Sequence, residues 1–432
     1  MSVIAPKFKL SGFIQSLLDN IFWILLLFVL IGLPAVFMIL IVIPLPVLDG
    51  ELLTPFLALS FLANPTRILP VIHAFMTTDI FRVMAFPGFG FAALLAASVI
   101  FAERKMMAKL QLRVGPFYCG KFEGILQLMG DGLKLMSKEI IIPAKADKPI
   151  FWAAPVLFVA TAAAFVAFIP VAPGWVVADI DLGLLGVFAV IGFFPIITIL
   201  SAWSANSKYP FIGGIRALFQ MVSFEIPLLL SLLGVVMVTG TLNLSEITES
   251  QSNFPWIVFL PIGAIVFFIA MLAELERIPF DLPEAESEIV AGWLTELSGM
   301  LYGLVQLGSY LKLYAFAALF VVLFLGGWNG PMVVPPFPAE IITEGIEMGP
   351  ITLKITGLPL FTQEMLNGTL WFILKTVGVI FFIILPRGVF PRVRVDLLLN
   401  LGWTKLIGLC FINIFIALGL LYSGVLGAGG LQ

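Results

Sequence analysis

Residues 256–299 read WIVFLPIGAIVFFIAMLAELERIPFDLPEAESEIVAGWLTELSG and combine a long apolar run with a dense set of carboxylates. The run 256–275 is long enough for a helix across a bilayer, and a further apolar run begins at 298. The carboxylates, opposed only by Arg277, are Glu274, Glu276, Asp281, Glu284, Glu286, Glu288 and Glu296. A carboxylate near lipid is costly unless it is neutral, paired or hydrated. The segment therefore predicts a site that handles protons or cations.

The whole chain has the composition of a membrane protein. Of its 432 residues 61% are hydrophobic and 11% are charged, which leaves too little polar surface for a water-soluble globule of this size. The apolar runs of about spanning length are 21–45, 84–102, 150–170, 182–203, 216–240, 256–275, 298–325, 368–385 and 405–425. We expect an all-α polytopic membrane protein with about nine transmembrane helices, and short interfacial helices where prolines interrupt 51–80.

Several function classes find no support in the residues. A net charge of −3 gives no basis for nucleic acid binding, and Cys119, Cys410 and His73 fit no metal-ligand spacing. No GxGxxG, Walker A or HExxH pattern occurs. We therefore expect no metal, flavin, haem or iron–sulfur cluster bound by this chain, so that any redox chemistry uses cofactors carried elsewhere.

The lysines and arginines predict the orientation. With the N-terminus in the cytoplasm, 18 of the 23 cations fall in inner loops, whereas the outer loops 171–181, 241–255 and 326–367 are neutral or acidic. The opposite orientation would place nearly all of these cations outside. We expect the acidic loop 276–297 on the inner face and the C-terminus on the opposite side.

Residues 122–142 predict an amphipathic helix at the membrane surface. Ile125, Leu126, Met129, Leu133 and Met136 recur at steps of three and four, with the charged residues on the other side. Two interpretations remain open with about equal weight. The helix docks a soluble partner, or it forms one wall of an entrance for a lipid-soluble substrate.

Glu225 is the strongest single candidate inside a span, because an ionisable group there is functional by default. Arg216 lies about 13.5 Å away by helical rise, too far for pairing within one straight helix. A structural partner on another helix is the plainer alternative. In the acidic loop, Glu284 and Glu288 are expected on one helical face, where like charges favour proton retention.

Several motifs occur in a fixed order, and together they resemble the membrane subunit of respiratory complex I that is called subunit 1 in mitochondria and the H-subunit in bacteria. They cover about 83–425. The matching pieces are Glu103-Arg-Lys, Gln111-x-Arg-Val-Gly-Pro, Asp131-Gly-Leu-Lys-Leu, Lys138-Glu139, Trp203-Ser-x-Asn-Ser-Lys-Tyr209, Arg216 to Phe224-Glu-Ile-Pro, Ala273 to Gly299, Pro391-Arg-x-Arg-x-Asp396 and Gly402-Trp-x-Lys405.

The resemblance implies a cofactor-free membrane subunit of a proton-pumping NADH (or ferredoxin):quinone oxidoreductase, in the bacterial inner membrane. Quinone is the implied substrate. The implied partners are the quinone-site and iron–sulfur subunits of the peripheral arm, small membrane subunits leading to antiporter-like subunits, and membrane lipids. Residues 83–432 would be the family domain with eight helices, and 1–82 an extension with one extra helix.

The resemblance also implies roles for individual residues. The residues implied to couple proton movement to quinone reduction are Glu139, Glu225, Glu274, Glu284, Glu286, Glu288 and Arg216. The residues implied for the quinone chamber are Arg104, Arg113, Asp281, Phe280, Trp293 and Glu296.

The chain departs from the family pattern at several positions. Ser309 stands where members commonly carry a glutamate, so that carboxylate is absent or displaced here. Phe117 replaces an asparagine, and Leu297 replaces a tyrosine. Glu276-Arg277 and Ser309-Tyr310 look more like the cyanobacterial and plastid branch, whose electron donor is ferredoxin.

Two other functions stay open from the sequence. The same carboxylates would serve a stand-alone ion transporter, which predicts transport by the purified chain in liposomes. The chain would also suit the membrane anchor of a related hydrogenase, which predicts a nickel–iron hydrogenase among the neighbouring genes.

Overall fold

The chain forms a bundle of membrane-spanning helices, as the apolar runs predict. The computed structural model describes residues 79–84, 86–119, 124, 127–333, 346–348, 351–353 and 363–423. The helices are α1 Asp79–Met84, α2 Phe89–Leu110, α3 Gln127–Ser137, α4 Lys148–Ala167, α5 Gly183–Ile191, α6 Phe193–Ser204, α7 Lys208–Thr239, α8 Leu244–Glu249, α9 Pro261–Glu274, α10 Glu286–Ile289, α11 Gly299–Phe324, α12 Gln363–Val389, α13 Val395–Asn400 and α14 Ile407–Tyr422.

Short irregular elements join these helices. Single 3₁₀ turns occur at Trp256–Val258 and Gly292–Leu294, and a π-helical turn, Leu401–Leu406, joins α13 to α14. Two three-residue strands, β1 Ile346–Met348 and β2 Ile351–Leu353, pair in antiparallel fashion with Met348 opposite Ile351. This small hairpin does not alter the all-α class.

Within the described residues, seven helical segments are long and apolar enough to cross a membrane. They are α2, α4, α5 with α6, α7, α11, α12, and α13 with α14. Helix α9 is apolar but has only 14 residues, about 21 Å at 1.5 Å per residue. These segments correspond to eight of the nine predicted spans, and the ninth, 21–45, lies outside the described residues.

Helix α11 is the centre of the bundle. It packs against α2, α4, α9 and α12, and every residue from Leu311 to Phe324 is buried. A helix enclosed on all sides has to be apolar all round, which is the pattern of its sequence. Lys312 is therefore conspicuous, because it lies within this enclosed stretch.

Two helices begin earlier than their apolar runs. Helix α7 begins at Lys208 instead of 216, and the last span begins at Val395 instead of 405. The early turns carry Arg216 and Lys405, which hydropathy assigns to loops. The helical backbone continues because its hydrogen bonds are satisfied internally and charged side chains at the membrane surface reach water.

A buried asparagine fastens three helices together. Asn413 of α14 accepts a hydrogen bond from the backbone N–H of Gly263 at 3.1 Å and donates to the Ser231 carbonyl at 3.2 Å. The Gly263 N–H lies in the first turn of α9, where no carbonyl within the helix reaches it. Asn413 thus caps α9 from another helix.

The acidic segment packs closely against α7 through glycines. A Cβ on Gly213 would lie 2.6 Å from the Trp293 backbone nitrogen and 2.7 Å from the Gly292 Cα. Gly292 itself has φ +54°, and a Cβ there would overlap the Pro283 carbonyl. Only glycine suits both requirements. This contact sets the position of the acidic segment relative to α7.

We expect Gly213→Ala to destabilise the protein by about 1–3 kcal/mol, because the added methyl meets backbone that cannot rotate away. Gly408→Ala is the matched control, since a Cβ on that helical glycine meets nothing within 4 Å. Thermal denaturation of the purified protein should show a lower midpoint for Gly213→Ala alone. Equal midpoints for the two variants would show that the contact is looser than described.

Candidate functional site

Glu103 organises a charged cluster at one end of the bundle. This carboxylate near the end of α2 is 3% exposed and accepts hydrogen bonds from Arg277 at 2.9 Å and from the Tyr310 hydroxyl at 2.9 Å. Arg387 of α12 forms a further ion pair with it. The Arg277 guanidinium also stacks over the Tyr310 ring, 4.8 Å from its centroid. One carboxylate thus joins α2, α11, α12 and the acidic loop.

A second charged group lies deeper in the bundle, between α9 and α11. The Lys312 ammonium donates to the Glu274 carboxylate at 3.1 Å and to the Glu274 carbonyl at 2.8 Å. Glu274 is 1% exposed and Lys312 is 3% exposed. The same ammonium attracts the Glu225 carboxylate of α7, which is half-buried. Two carboxylates on different helices therefore share one buried cation.

The turn after α9 carries Glu276 in a costly backbone conformation. The Arg277 N–H bonds the Leu272 carbonyl and the Glu276 N–H bonds the Ala273 carbonyl, the two bonds of a Schellman cap. The first residue after such a cap adopts a left-handed backbone, and glycine is usual there. In this chain that residue is Glu276, with φ +52°. The turn directs Arg277 towards Glu103 and leaves Glu276 between the two charged groups.

Two carboxyl groups of the loop, Glu276 and Glu284, have pKa values raised into the neutral range. Burial, together with repulsion from Glu284, raises the pKa of Glu276 to about 8. Burial and the neighbouring Asp281 raise the pKa of Glu284 to about 7, against the opposing effect of Arg277. Burial also raises the pKa of Asp281, although Arg392 pairs with it at 3.0 Å. The loop can therefore change its charge within the physiological range of pH.

Gln220 of α7 fixes the loop to the helices. Its side-chain amide donates to the carbonyls of Ala273 and Phe280, each at 2.7 Å. The Phe280 ring packs against Phe224, one residue before Glu225, with centroids 5.6 Å apart. This arrangement fixes the loop beside the segment of α7 that carries Glu225.

A polar cavity of about 490 Å³ opens beside the Glu103 cluster. Its wall combines the end of α2, the loop that follows and the facing side chains of α11 and α12. The charged and hydroxyl-bearing residues that line it are Glu103, Arg104, Arg113, Tyr310 and Arg387. Such a site offers several hydrogen-bond donors to a ligand that carries carbonyl oxygens.

An apolar groove of about 170 Å³ lies next to this cavity, between α2 and α12. Ala102 and Met106 line the groove, whereas Glu103 and Met107, their neighbours in sequence, line the cavity. The two spaces therefore share the wall formed by α2. Together they suit an amphipathic ligand with a polar head and an apolar tail.

Helix α3 lies beside this region and keeps its apolar face uncovered. Arg104 pairs with Asp131, and Leu135 contacts α11 near Gly303. Met129 and Leu133 are about two-thirds exposed, at 67% and 66%. The helix is shorter than the predicted 122–142, and Ile125 and Leu126 lie outside the described residues. Its exposed face fits a position at the membrane surface.

The structure brings many of the predicted residues together. Glu225 and Glu274 share Lys312, and Arg216 pairs with Glu288 instead of with a group on its own helix. Phe280 and Trp293, which the resemblance implies for the quinone chamber, are buried. Asp281 pairs with Arg392 beside Glu284.

Other predicted residues lie apart from this array. Glu139 is exposed, near the beginning of α11, and Glu296 is half-buried. The expectation that Glu284 and Glu288 share a helical face is wrong. Helix α10 begins only at Glu286, because Pro283 and the turn after it precede the helix, and Glu288 faces Arg216 instead.

Several residues of the site were not among the predicted ones. They are Glu103, Arg277, Tyr310, Lys312 and Arg387. Lys312 could have been found by its position, because it is a charged residue within the predicted span 298–325. Glu103 directly follows the predicted span 84–102. Arg277 and Arg387 look like ordinary inner-loop cations in the sequence. Only their common contact with Glu103 distinguishes them.

Comparisons with known proteins identify the family of this chain. Residues 83–418 match the family model described as NADH dehydrogenase. A relative from Geobacillus sp. (strain WCH70), named as the H-subunit of NADH-quinone oxidoreductase, is 42% identical over 337 residues, covering 78% of this chain and 90% of the relative. The protein of the same name from Bacillus cytotoxicus is 42% identical over 335 residues, covering 76% and 92%. This chain therefore belongs to the NADH dehydrogenase family of membrane subunits, with H-subunits of NADH-quinone oxidoreductase among its relatives.

Proposed function

We propose that this chain is the membrane subunit of a proton-translocating NADH–quinone oxidoreductase of the complex I type. The observation that carries the proposal is the polar cavity beside Glu103, which Arg277 links directly to the carboxylate loop. A change of charge in the cavity would change the electrostatic potential at Glu284 and, beyond the turn, at Glu274. The arrangement thus supplies both a ligand space and groups that exchange protons.

Quinone would enter sideways from the bilayer, in the neighbourhood of α3 and the groove between α2 and α12. The apolar groove suits the isoprenoid tail, and the cavity suits the headgroup. The guanidinium groups of Arg104, Arg113 and Arg387, which line the cavity, are donors for the quinone oxygens. Such donors stabilise negative charge that develops on the oxygens as electrons arrive.

The electrons would come from cofactors of other subunits. The inner face of this chain would bind the quinone-site and iron–sulfur subunits of a peripheral arm, and its carboxylates would pass the effect of reduction to small membrane subunits and antiporter-like subunits. Exposed apolar side chains at this end, including Leu112, Val114 and Tyr118, favour such docking. Residues 1–82 would form an additional N-terminal domain.

The proton-coupling path would run from the loop into the bundle. Glu284, which exchanges its proton near neutral pH, lies at the inner end, and Glu274 and Glu225 lie within it. Reduction of quinone would add negative charge near Arg277, which would offset the effect by which Arg277 lowers the pKa of Glu284. Glu284 would then take up a proton. The next proton transfers would then follow towards Glu225.

We expect Glu225→Gln to leave the complex assembled but to depress NADH-driven quinone reduction and proton translocation together, because the amide cannot exchange a proton. Inverted membrane vesicles allow both rates to be measured on the same preparation. Glu249→Gln, on an exposed residue of α8 at the opposite end, is the control. Full translocation by Glu225→Gln would remove this residue from the path.

We expect Glu284 to titrate near pH 7 in the assembled complex. Because its pKa is raised, the carboxyl keeps its proton below about pH 7 and loses it above. Infrared spectroscopy can follow the carbonyl band of protonated carboxylic acids as a function of pH. The component of this band that disappears near pH 7 should be absent in Glu284→Gln. Glu246→Gln, on an exposed outer residue, should leave the titration unchanged. A wild-type spectrum without this component would contradict the assignment.

A further inference from the structure

Lys312 is held inside the bundle by one carboxylate but is not restricted to it. The ammonium lies midway along α11, and its bond to the Glu274 carboxylate is 3.1 Å long. The other Glu274 oxygen, Oε2, is buried and has no hydrogen-bond partner among the described residues. That oxygen is free to hold a proton. The pair is therefore not a closed, fully satisfied ion pair.

A break between two helices brings a second carboxylate to the same cation. Helix α5 ends at Ile191 and α6 begins at Phe193, with Gly192 between them. A Cβ on Gly192 would lie 3.3 Å from the Glu225 carboxylate, and the Phe194 ring lies 4.3 Å from the Lys312 ammonium. Glu225 and Lys312 thus face adjacent positions of one wall.

The Phe194 ring adds a second, uncharged contact to the ammonium at the position where it also pairs with Glu274. A cation above a ring face is stabilised without a counter-charge, and more strongly where water is excluded. Phe194 is fully buried and lies on the wall that Glu225 also contacts. The ammonium can therefore leave Glu274 and approach Glu225 without first becoming a bare charge in an apolar space.

The charges of this group require a shared proton. Glu225 on α7, Glu274 on α9 and Lys312 on α11 sum to −1 when all three are ionised. Glu276, which also interacts with Lys312, adds a further carboxyl at the mouth of the group. An uncompensated charge at this depth is costly, so one proton on Glu225 or Glu274 makes the three-residue group neutral.

We propose that Lys312 is a positioning residue that controls which of Glu225 and Glu274 holds this proton. With the ammonium on Glu274, that carboxyl is ionised and Glu225 is protonated. When the ammonium moves to Glu225, the proton leaves Glu225 and Glu274 takes it up. The sum of charges stays at zero throughout. The inference rests on the proposed function and adds to it a cation that gives the proton step its direction.

Lys312→Met tests the inference, because methionine keeps the length of the side chain and removes its charge. Both carboxyls would then stay protonated, and NADH-driven proton translocation should fall by about a hundredfold, in the range of lost proton-transfer groups. Lys312→Arg keeps the cation and should retain measurable translocation. Translocation by Lys312→Arg should also keep the pH dependence of the unmodified complex, whereas the residual translocation by Lys312→Met should not vary with pH.

The double variant Lys312→Met with Glu274→Gln separates stability from mechanism. Removing both partners leaves no lone buried charge, so the complex should assemble even if Lys312→Met alone does not. We expect the assembled double variant to lack translocation. Wild-type translocation by Lys312→Met or by the double variant would overturn the role of Lys312. If Glu225→Gln also translocated normally, the proposed proton path through Glu225 would be at fault, and not only the role of Lys312.

Discussion

The ion pair between Glu274 and Lys312 joins a short helix to the central helix at a depth where a lone charge is costly. Helix α9 has only 14 residues and ends at Glu274, so the chain leaves it within reach of α11. The Schellman cap then reverses the backbone through Glu276 and directs Arg277 to Glu103. A single helix end thus positions both charged groups of the site.

The loop that follows is packed as part of the bundle and not as a surface connection. Phe280, Leu282 and Trp293 are buried, and Gln220 bonds two backbone carbonyls of the segment. The contact between Gly213 and Gly292 then sets its distance from α7. The sequence places these carboxylates in a loop between two spans, but this packing buries them. The pKa of Glu276 is therefore raised to about 8 and that of Glu284 to about 7.

The backbone at Glu276 is strained in a way that a structural role does not require. Glycine at that position would form the same cap without a Cβ cost. The chain instead places a carboxyl there, between Lys312 and Glu284. Strain of this kind is commonly concentrated at functional sites. The backbone strain therefore lies at Glu276, which is itself one of the carboxyls with a raised pKa.

Some expectations failed because they used distance along the chain alone. Glu284 and Glu288 have helical spacing, but the proline turn separates Glu284 from α10, and the two carboxylates face different arginines. The role that the resemblance implies for Glu139 is a different case, because this residue is exposed and its part in proton coupling stays a prediction. Spacing predicts a common face only where a helix actually runs through both residues.

The amino-acid sequence alone determined the all-α membrane class, seven of the eight spans predicted in the described part of the chain, the family resemblance and the set of carboxylates. These follow from local properties, since hydropathy and motif order are read residue by residue. The tertiary structure decided which charges meet. Glu103 binds Arg277 and Arg387 from 174 and 284 residues away, and Lys312 reaches Glu274 across 38 residues. A buried charge takes the partner that folding brings to it, and no local pattern specifies that partner.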